Sequence, residues 1–124
     1  MLKQVLIVED SEACAETLQI ALESMPGIET RVIHSPGAVI AAMRASAGEI
    51  AAIVTDLHLP HSSGFDLIRQ LRAEPRFARL PILMISGDTD PLLSQKALAA
   101  GADAFFPKPY SPSAVRRKLE KLLC

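Results

Sequence analysis

The stretch Ala51–Pro60, with the sequence AAIVTDLHLP, decides the fold class. It begins with an apolar run rich in β-branched side chains, and such a run predicts a strand that is buried on both faces, as in a parallel sheet. Asp56 stands at the end of this run. An acid at that position is either a helix cap or a reactive group at the edge of a sheet, and the rest of the chain decides between the two.

Length and composition predict one compact domain. The chain has 124 residues and is 49% hydrophobic, which is enough for a single core with buried strands. Thirteen basic and fourteen acidic side chains leave a net charge of −1, so charge gives no reason to expect nucleic-acid or membrane binding. Cys14 and Cys124 are the only cysteines, and the apolar run near the N-terminus is too short for a signal peptide. We therefore expect a reduced protein in the cytoplasm.

Five apolar segments alternate with five helical patterns along the chain. Besides the run that opens Ala51–Pro60, the predicted strands are Lys3–Val8, Ile28–Ile33, Ile82–Ile85 and Ala104–Phe106. The second strand alternates weakly and is expected near an edge of the sheet. Strands that alternate with helices predict an α/β fold in which a parallel sheet is covered on both faces.

Capping residues and prolines mark the helices between these strands. Ser11 precedes the first helix, and a capping residue followed by proline is expected to start three others, at Ser35-Pro36, Asp90-Pro91 and Ser111-Pro112. The remaining helix is indicated by apolar residues at helical spacing, Phe65, Ile68 and Leu71. The last helix is expected to bury four apolar side chains, Val115, Leu119, Leu122 and Leu123.

Reactive side chains follow four of the five predicted strands. The residues at these strand ends are Glu9, Asp10, Asp56, Ser86 and Lys108. The carboxyl ends of parallel strands meet at one edge of the sheet, where such folds bind ligands. Taken singly, Asp10 fits a helix cap, Ser86 a turn residue and Lys108 a surface lysine. Their common position is better explained by a functional site.

The chemistry of this set points to phosphoryl transfer. Three converging carboxylates repel one another, so a cation is expected among them, and oxygen ligands in an open site suit Mg²⁺. A carboxylate that remains free can attack phosphorus and form an acyl phosphate. A lysine and a hydroxyl group nearby would hold the phosphoryl oxygens. The sequence therefore predicts phosphoryl transfer onto Asp56.

The chain resembles the receiver domain of two-component response regulators over essentially its whole length. The residues of the resemblance are the Glu9-Asp10 pair, Asp56, Pro60, Gly64, Ser86 and the Lys108-Pro109 pair. The resemblance implies a single doubly wound (βα)5 flavodoxin-like domain with a five-stranded parallel sheet of order 2-1-3-4-5. It also implies one receiver domain over residues 1–124 without an effector domain, either as a single-domain regulator or as part of a longer protein.

The same resemblance implies a role for each site residue. Asp56 would accept a phosphoryl group from the phosphohistidine of a sensor histidine kinase or phosphotransfer protein. Asp10 and Asp56 would bind Mg²⁺ directly, with Mn²⁺ as a substitute, while Glu9 would act largely through water and His58 through its backbone carbonyl. Lys108 would pair with the phosphoryl group, and the Lys108–Pro109 bond would be cis, a minority state of X–Pro bonds. Such a domain catalyses only its own phosphorylation and dephosphorylation.

Ser86 and Phe105 match the switch pair of the family. On phosphorylation Ser86 would turn toward the phosphoryl oxygens, and the ring of Phe105 would move into the vacated space. This change would bias the surface formed by the fourth helix, the fifth strand and the fifth helix. The expected readers of that surface are a downstream protein, a covalently linked effector domain or a second copy in a phosphorylation-dependent dimer.

His58 and Asp88 are the positions at which this sequence is most distinctive. His58 lies two residues after Asp56, and Asp88 lies two residues after Ser86. We hypothesise that the two side chains approach each other over the site and tune the loss of the phosphoryl group. The dephosphorylation rate would then change with pH near neutrality, where histidine titrates.

Three other functions compete with a receiver. A haloacid-dehalogenase-like phosphatase also uses an aspartate after a parallel strand, but it would need a second acid where His58 stands. A nucleotide- or flavin-binding domain would need a phosphate-binding loop after the first strand, where Glu9-Asp10-Ser11 would instead repel a phosphate. A phosphorylation-independent interaction module of the same fold would have little need of the complete acid, hydroxyl and lysine set.

Overall fold

The computed structural model describes residues 2–123. Five parallel strands form the main sheet: β1 (Lys3–Val8), β2 (Ile28–Ile33), β3 (Ile50–Asp56), β4 (Ile82–Ser86) and β5 (Ala104–Pro107). Five helices alternate with them: α1 (Glu12–Glu23), α2 (Pro36–Ser46), α3 (Gly64–Arg72), α4 (Leu93–Ala100) and α5 (Pro112–Leu123). No helix within residues 2–123 has the length and apolarity that a bilayer crossing requires.

The strand order is β2-β1-β3-β4-β5, and every neighbouring pair is parallel. The predicted doubly wound fold is therefore confirmed, including the position of β2 at an edge. Strand β3 lies in the centre of the sheet, between β1 and β4. This position brings the end of β3 next to the ends of both neighbours.

Each face of the sheet has its own apolar core. Because side chains alternate along a strand, Leu6 and Val8 of β1 face one core while Val5 and Ile7 face the other. The first core lies under α2, α3 and α4, and the second lies under α1 and α5. Central strands with two buried faces explain the continuous apolar runs in the sequence.

The helices agree with the sequence predictions except in two respects. Ser11 Oγ accepts a hydrogen bond from the Cys14 N–H, as expected for a cap. Helix α4 begins at Leu93 rather than at Pro91, because the Asp90 side chain accepts the N–H of Leu92 and holds a turn before the helix. The second correction is at the other end of the chain.

Leu123 is 37% exposed, so the prediction that it belongs to the buried stripe of α5 is wrong. Val115 and Leu119 are fully buried, and Leu122 packs against the core. Leu123 lies about 100° round the helix from Leu122, on the side of α5 that faces solvent.

The segment between β3 and α3 contains a short antiparallel ribbon. Its two strands are His58–Leu59 and Ser62–Ser63, and His61 between them has a positive φ of 60°. Gly64 follows directly, and its N–H donates to the Leu57 carbonyl at 2.6 Å. A Cβ at Gly64 would collide with the backbone carbonyl oxygen of Asp56 and lie 2.9 Å from Met84 Cε. Glycine is therefore required for this segment to return so closely onto the end of β3.

Candidate functional site

A lysine and two carboxylates meet at the carboxyl end of the sheet. Lys108 Nζ donates to Glu9 Oε1 at 2.9 Å and to Asp56 Oδ2 at 3.0 Å. Glu9 directly follows β1, Asp56 is the last residue of β3, and Lys108 directly follows β5. The convergence expected from parallel strand ends is confirmed for these three residues, although they are far apart in sequence.

Burial and charge set the ionisation of this group. The Glu9 side chain is fully buried, and its pKa is raised by desolvation, with the neighbouring Asp56 acting in the same direction. Desolvation alone would lower the pKa of Lys108, but hydrogen bonds to Glu9 and Asp56 outweigh it and raise that pKa to about 12. Lys108 is thus a permanent cation that offsets the repulsion between the two carboxylates.

Asp56 remains chemically available. Its Oδ1 accepts the N–H of Leu57 at 2.7 Å, while Oδ2 accepts Lys108 Nζ. Each carboxylate oxygen has two lone pairs, so both oxygens keep one after these bonds form. The Asp56 side chain is 13% exposed and is the more accessible of the two carboxylates. An oriented and reachable carboxylate beside a fixed cation is suited to act as a nucleophile toward an electrophile that carries negative charge.

Asp10 does not join this cluster, which corrects the expected convergence of three carboxylates. Asp10 is exposed, and its backbone N–H donates to Glu9 Oε2 at 3.2 Å. Within residues 2–123, no three histidine, cysteine, aspartate or glutamate side chains come together closely enough to hold a metal ion. The cation between the acids is Lys108, and mutual repulsion disfavours a third carboxylate beside them.

The donor chemistry at this edge nevertheless fits a hard cation. Glu9 and Asp56 offer carboxylate oxygens, Asp10 lies one residue after Glu9 at the solvent side, and the backbone of His58 lies two residues after Asp56. Such oxygen ligands are those that Mg²⁺ takes in partly hydrated sites. The assignment of Glu9, Asp10, Asp56 and the His58 carbonyl as ligands stays a prediction.

Ser86 lies at the end of β4, beside the acidic cluster, and is fully buried. Its Oγ accepts the backbone N–H of Asp88 at 3.0 Å, and its carbonyl oxygen accepts the Lys108 N–H at 2.7 Å. The Lys108–Pro109 peptide bond is cis, as expected. Ser86 is therefore tied to the loop that follows β4 and, through its backbone, to the end of β5.

His58 and Asp88 approach each other, as the hypothesis requires. His58 Nε2 lies 3.1 Å from Asp88 Oδ2, and both side chains are accessible to solvent. The pKa of Asp88 is lowered chiefly by a hydrogen bond from the Asp90 N–H and further by His58. This contact joins the loop after β3 to the loop after β4.

Phe105 lies on β5 beside an open cavity of about 500 Å³. The ring is partly buried and packs against the core that lies under α2, α3 and α4. Asp88, Ser94 and Lys108 also line the cavity. The space on this side of β5 is thus shared by Phe105 and the loop that carries Asp88.

Two residues near the site were not assigned to it from the sequence. His34, which directly follows β2, donates through Nδ1 to the Glu9 carbonyl at 3.0 Å, so the end of β2 also supports the site. Tyr110 lies with Cys14 in a groove of about 490 Å³ between α1 and the start of α5, and burial raises its pKa. The position of His34 directly after a predicted strand could have indicated its place near the site. The groove beside Tyr110 could not be predicted, because it depends on how α1 packs.

Comparison with known proteins identifies the family. The model of the response regulator receiver domain matches residues 5–120. Chemotaxis protein CheY1 of Helicobacter pylori strain J99 is 30% identical over 121 residues, which are 97% of this chain and 96% of that protein. The DNA-binding response regulator MtrA of Mycolicibacterium smegmatis is 33% identical over 112 residues, which are 90% of this chain and 46% of that protein.

A solved structure agrees with these sequence matches. The crystal structure of a response regulator from Chloroflexus aurantiacus superposes with a TM-score of 0.89 at 27% identity, over 99% of this chain and 98% of that one. The fold, the cluster of Glu9, Asp56 and Lys108, and the sequence matches lead to one conclusion. The chain belongs to the receiver domain family of two-component response regulators.

Proposed function

We propose that Asp56 accepts a phosphoryl group from the phosphohistidine of a sensor histidine kinase or of a phosphotransfer protein. The observation that supports this most directly is the hydrogen bond of 3.0 Å between Lys108 Nζ and Asp56 Oδ2 beside the buried Glu9. It holds Asp56 in a fixed orientation at the mouth of the site. The same ammonium is within reach of oxygens on a group attached to Asp56.

The bond changes in this reaction balance without a further reactant. A lone pair of an Asp56 carboxylate oxygen forms a bond to phosphorus, and the P–N bond of the phosphohistidine breaks. The electron pair of that bond remains on the imidazole nitrogen of the donor. Hydrolysis of the acyl phosphate by water later returns Asp56 and releases inorganic phosphate. The domain thus acts on its own phosphorylation state.

Lys108 and Ser86 would stabilise the transferred group. The ammonium of Lys108 would exchange a carboxylate oxygen for a phosphoryl oxygen and offset the added negative charge. The hydroxyl of Ser86 would donate to a second phosphoryl oxygen after turning from its present acceptor role. Glu9 and Asp10, with the Asp56 carboxylate and the His58 carbonyl, would hold Mg²⁺, Glu9 largely through water. When bound, Mg²⁺ or Mn²⁺ supplies positive charge that neutralises the phosphoryl oxygens.

The proposed output is a change in the surface formed by α4, β5 and α5. Ser86 would turn inward, and Phe105 would move from its cavity into the space that Ser86 leaves. The altered surface would be read by a downstream protein, by a covalently linked effector domain or by a second copy of the chain. A partner histidine kinase of this kind acts in the cytoplasm, which we propose as the location of this domain.

His58 and Asp88 would tune how long the phosphoryl group persists. Their contact at 3.1 Å joins the loops that follow β3 and β4, and we expect it to affect how water reaches the acyl phosphate. Replacing His58 should therefore alter the rate of dephosphorylation without removing the phosphoacceptor.

Incubation with Mg²⁺ and acetyl phosphate, followed by intact-protein mass spectrometry, tests the proposal. We expect a gain of one phosphoryl group in the wild-type protein and none in Asp56→Asn. Asp66→Asn is a matched control, because that exposed aspartate lies on α3 and contacts Arg69. If the wild-type protein gains no phosphoryl group and binds no beryllofluoride, a phosphorylation-independent interaction module becomes the better explanation.

A further inference from the structure

Two contacts in succession connect His58 to the buried hydroxyl of Ser86. His58 Nε2 lies 3.1 Å from Asp88 Oδ2. The backbone N–H of Asp88 donates to Ser86 Oγ at 3.0 Å. Asp88 Oδ1 accepts the N–H of Asp90 at 3.0 Å, so the second carboxylate oxygen is also held. Both the side chain and the backbone of Asp88 are therefore fixed in the present arrangement.

The burial of these residues differs along the connection. The His58 side chain is 71% exposed and that of Asp88 is 36% exposed, whereas Ser86 is fully buried. The outer contact is thus at the surface, and the inner one is beside the acidic cluster. A change at the surface can reach the hydroxyl only through the position of the Asp88 backbone.

Turning the Ser86 hydroxyl toward Asp56 breaks its hydrogen bond with the Asp88 N–H, and this loss has a free-energy cost. When Oγ leaves, the partly buried N–H of Asp88 loses its acceptor, and an amide without a partner is unfavourable. The N–H regains a partner in water if the backbone at Gly87 and Asp88 shifts outward. That shift would also pull the Asp88 carboxylate away from His58.

We infer that His58 is a positioning residue that holds Ser86 in its present orientation through Asp88, so that switching must break the contact between His58 and Asp88. The inference rests on the proposed function, because it names what opposes the turn of Ser86. This restraint on Ser86 differs from an effect of His58 on water access, because the restraint acts on the protein before any phosphoryl group is bound. Loss of His58 should favour the form that binds the phosphoryl group.

The expected size of the effect is modest because the pair is exposed. Exposed ion pairs change equilibrium constants by only a few-fold. We therefore expect His58→Ala to tighten binding of beryllofluoride, a phosphoryl mimic, by roughly two- to five-fold in the presence of Mg²⁺. Asp88→Ala should have a similar effect, and the double variant should show little more than either single one.

His61→Asn is a matched control for His58→Ala. His61 is an exposed histidine in the same ribbon, and asparagine tolerates its positive φ of 60°. Beryllofluoride affinity should be unchanged in this control. If His58→Ala and Asp88→Ala have independent effects that add in the double variant, the proposed connection is wrong.

Amide hydrogen exchange tests the inference without phosphorylation. In the protein without Mg²⁺ or beryllofluoride, the amide of residue 88 should exchange roughly two- to five-fold faster in His58→Ala than in wild type. The amide of Val54 in central β3 should not change, which separates this effect from global destabilisation. An unchanged rate at residue 88 would overturn the inference. If wild type binds no beryllofluoride, the proposed function fails, and the exchange rates still decide whether His58 holds the Asp88 backbone.

Discussion

Lys108 Nζ and Asp56 Oδ2 are 3.0 Å apart although β4 lies between the strands that position them. Asp56 ends β3, and Lys108 follows β5. The lysine therefore reaches across the end of the intervening strand, where Ser86 accepts the backbone N–H of Lys108. This crossing explains how one cation can serve two carboxylates and stand beside Ser86.

Lys108→Met should slow phosphorylation of Asp56 by acetyl phosphate by roughly 10²-fold. The variant keeps an unbranched side chain but removes the charge that would stabilise the phosphoryl oxygens. Time courses of phosphoryl gain by mass spectrometry would measure the change. Lys96→Met is the control, because Lys96 is an exposed lysine on α4 that pairs with Asp90. Equal rates in Lys108→Met and wild type would remove Lys108 from the reaction.

Relative to wild type, Glu9→Gln should be more stable at neutral pH than at acidic pH in the absence of Mg²⁺. Burial raises the pKa of Glu9 above its ordinary value of 4.5, so the folded protein binds this proton more tightly than the unfolded chain does. Ionised Glu9 therefore costs stability at pH values above its folded-state pKa, and the cost is absent below pH 4.5.

Urea unfolding of both proteins across this pH range would measure the difference. The advantage of Glu9→Gln should shrink as the pH falls toward 4.5 and vanish below it. A stability difference that is independent of pH would contradict the assigned cause.

Asp10→Asn should weaken Mg²⁺ binding strongly, because a neutral amide replaces a carboxylate at the solvent side of the site. Isothermal titration with MgCl₂ would give the affinity. Glu12→Gln is a suitable control, since Glu12 is an exposed acid two residues further on, in the first turn of α1. Unchanged affinity in Asp10→Asn would exclude the assigned ligand, and an equal loss in Glu12→Gln would indicate only a general effect of charge.

The sequence was sufficient to predict the fold and the meeting of one lysine and two carboxylates at one edge of the sheet. Apolar runs such as that before Asp56 identify strands buried on both faces, and parallel strands must bring their carboxyl ends to one edge. Glu9, Asp56 and Lys108 could therefore be brought together before any coordinates were known. The position of Ser86 beside them follows in the same way.

Contacts that depend on how separate elements pack could not be predicted in this way. Asp10 is exposed, and its position depends on the direction of the chain after β1. The support of the Glu9 carbonyl by His34 depends on the register of β2 against β1. Both features involve distances between side chains or backbones rather than a periodic pattern.

Gly64→Ala should destabilise the protein by roughly 1–3 kcal/mol and slow phosphorylation of Asp56. The added Cβ would meet the Asp56 backbone carbonyl and Met84 Cε, so β3 must shift at its reactive end. Gly37→Ala is the control, because a Cβ at that position in α2 would meet no heavy atom within 4 Å beyond its chain neighbours and the backbone of its own helix. Thermal unfolding and phosphorylation rates of both variants would test this prediction. Equal stabilities of Gly64→Ala and Gly37→Ala would contradict it.

Arg72→Lys should cost roughly 1–3 kcal/mol of stability although the charge is retained. The guanidinium donates to the Gly101 carbonyl at 3.0 Å, to the Phe77 carbonyl at 2.7 Å and to Asp103 Oδ2 at 3.2 Å. It thereby joins the end of α3 to the end of α4 and to the start of β5. A lysine ammonium is a compact donor group that cannot span three acceptors in these directions.

Urea unfolding of Arg72→Lys and of the control Arg69→Lys would measure this cost. Arg69 lies one turn earlier on α3, its side chain is 63% exposed, and it pairs only weakly with Asp66 at 3.4 Å. The control should therefore remain within about 0.5 kcal/mol of wild type. If Arg72→Lys is equally stable, the planar fork of Arg72 is not needed to anchor the end of α4, and the ammonium alone must satisfy enough of these acceptors.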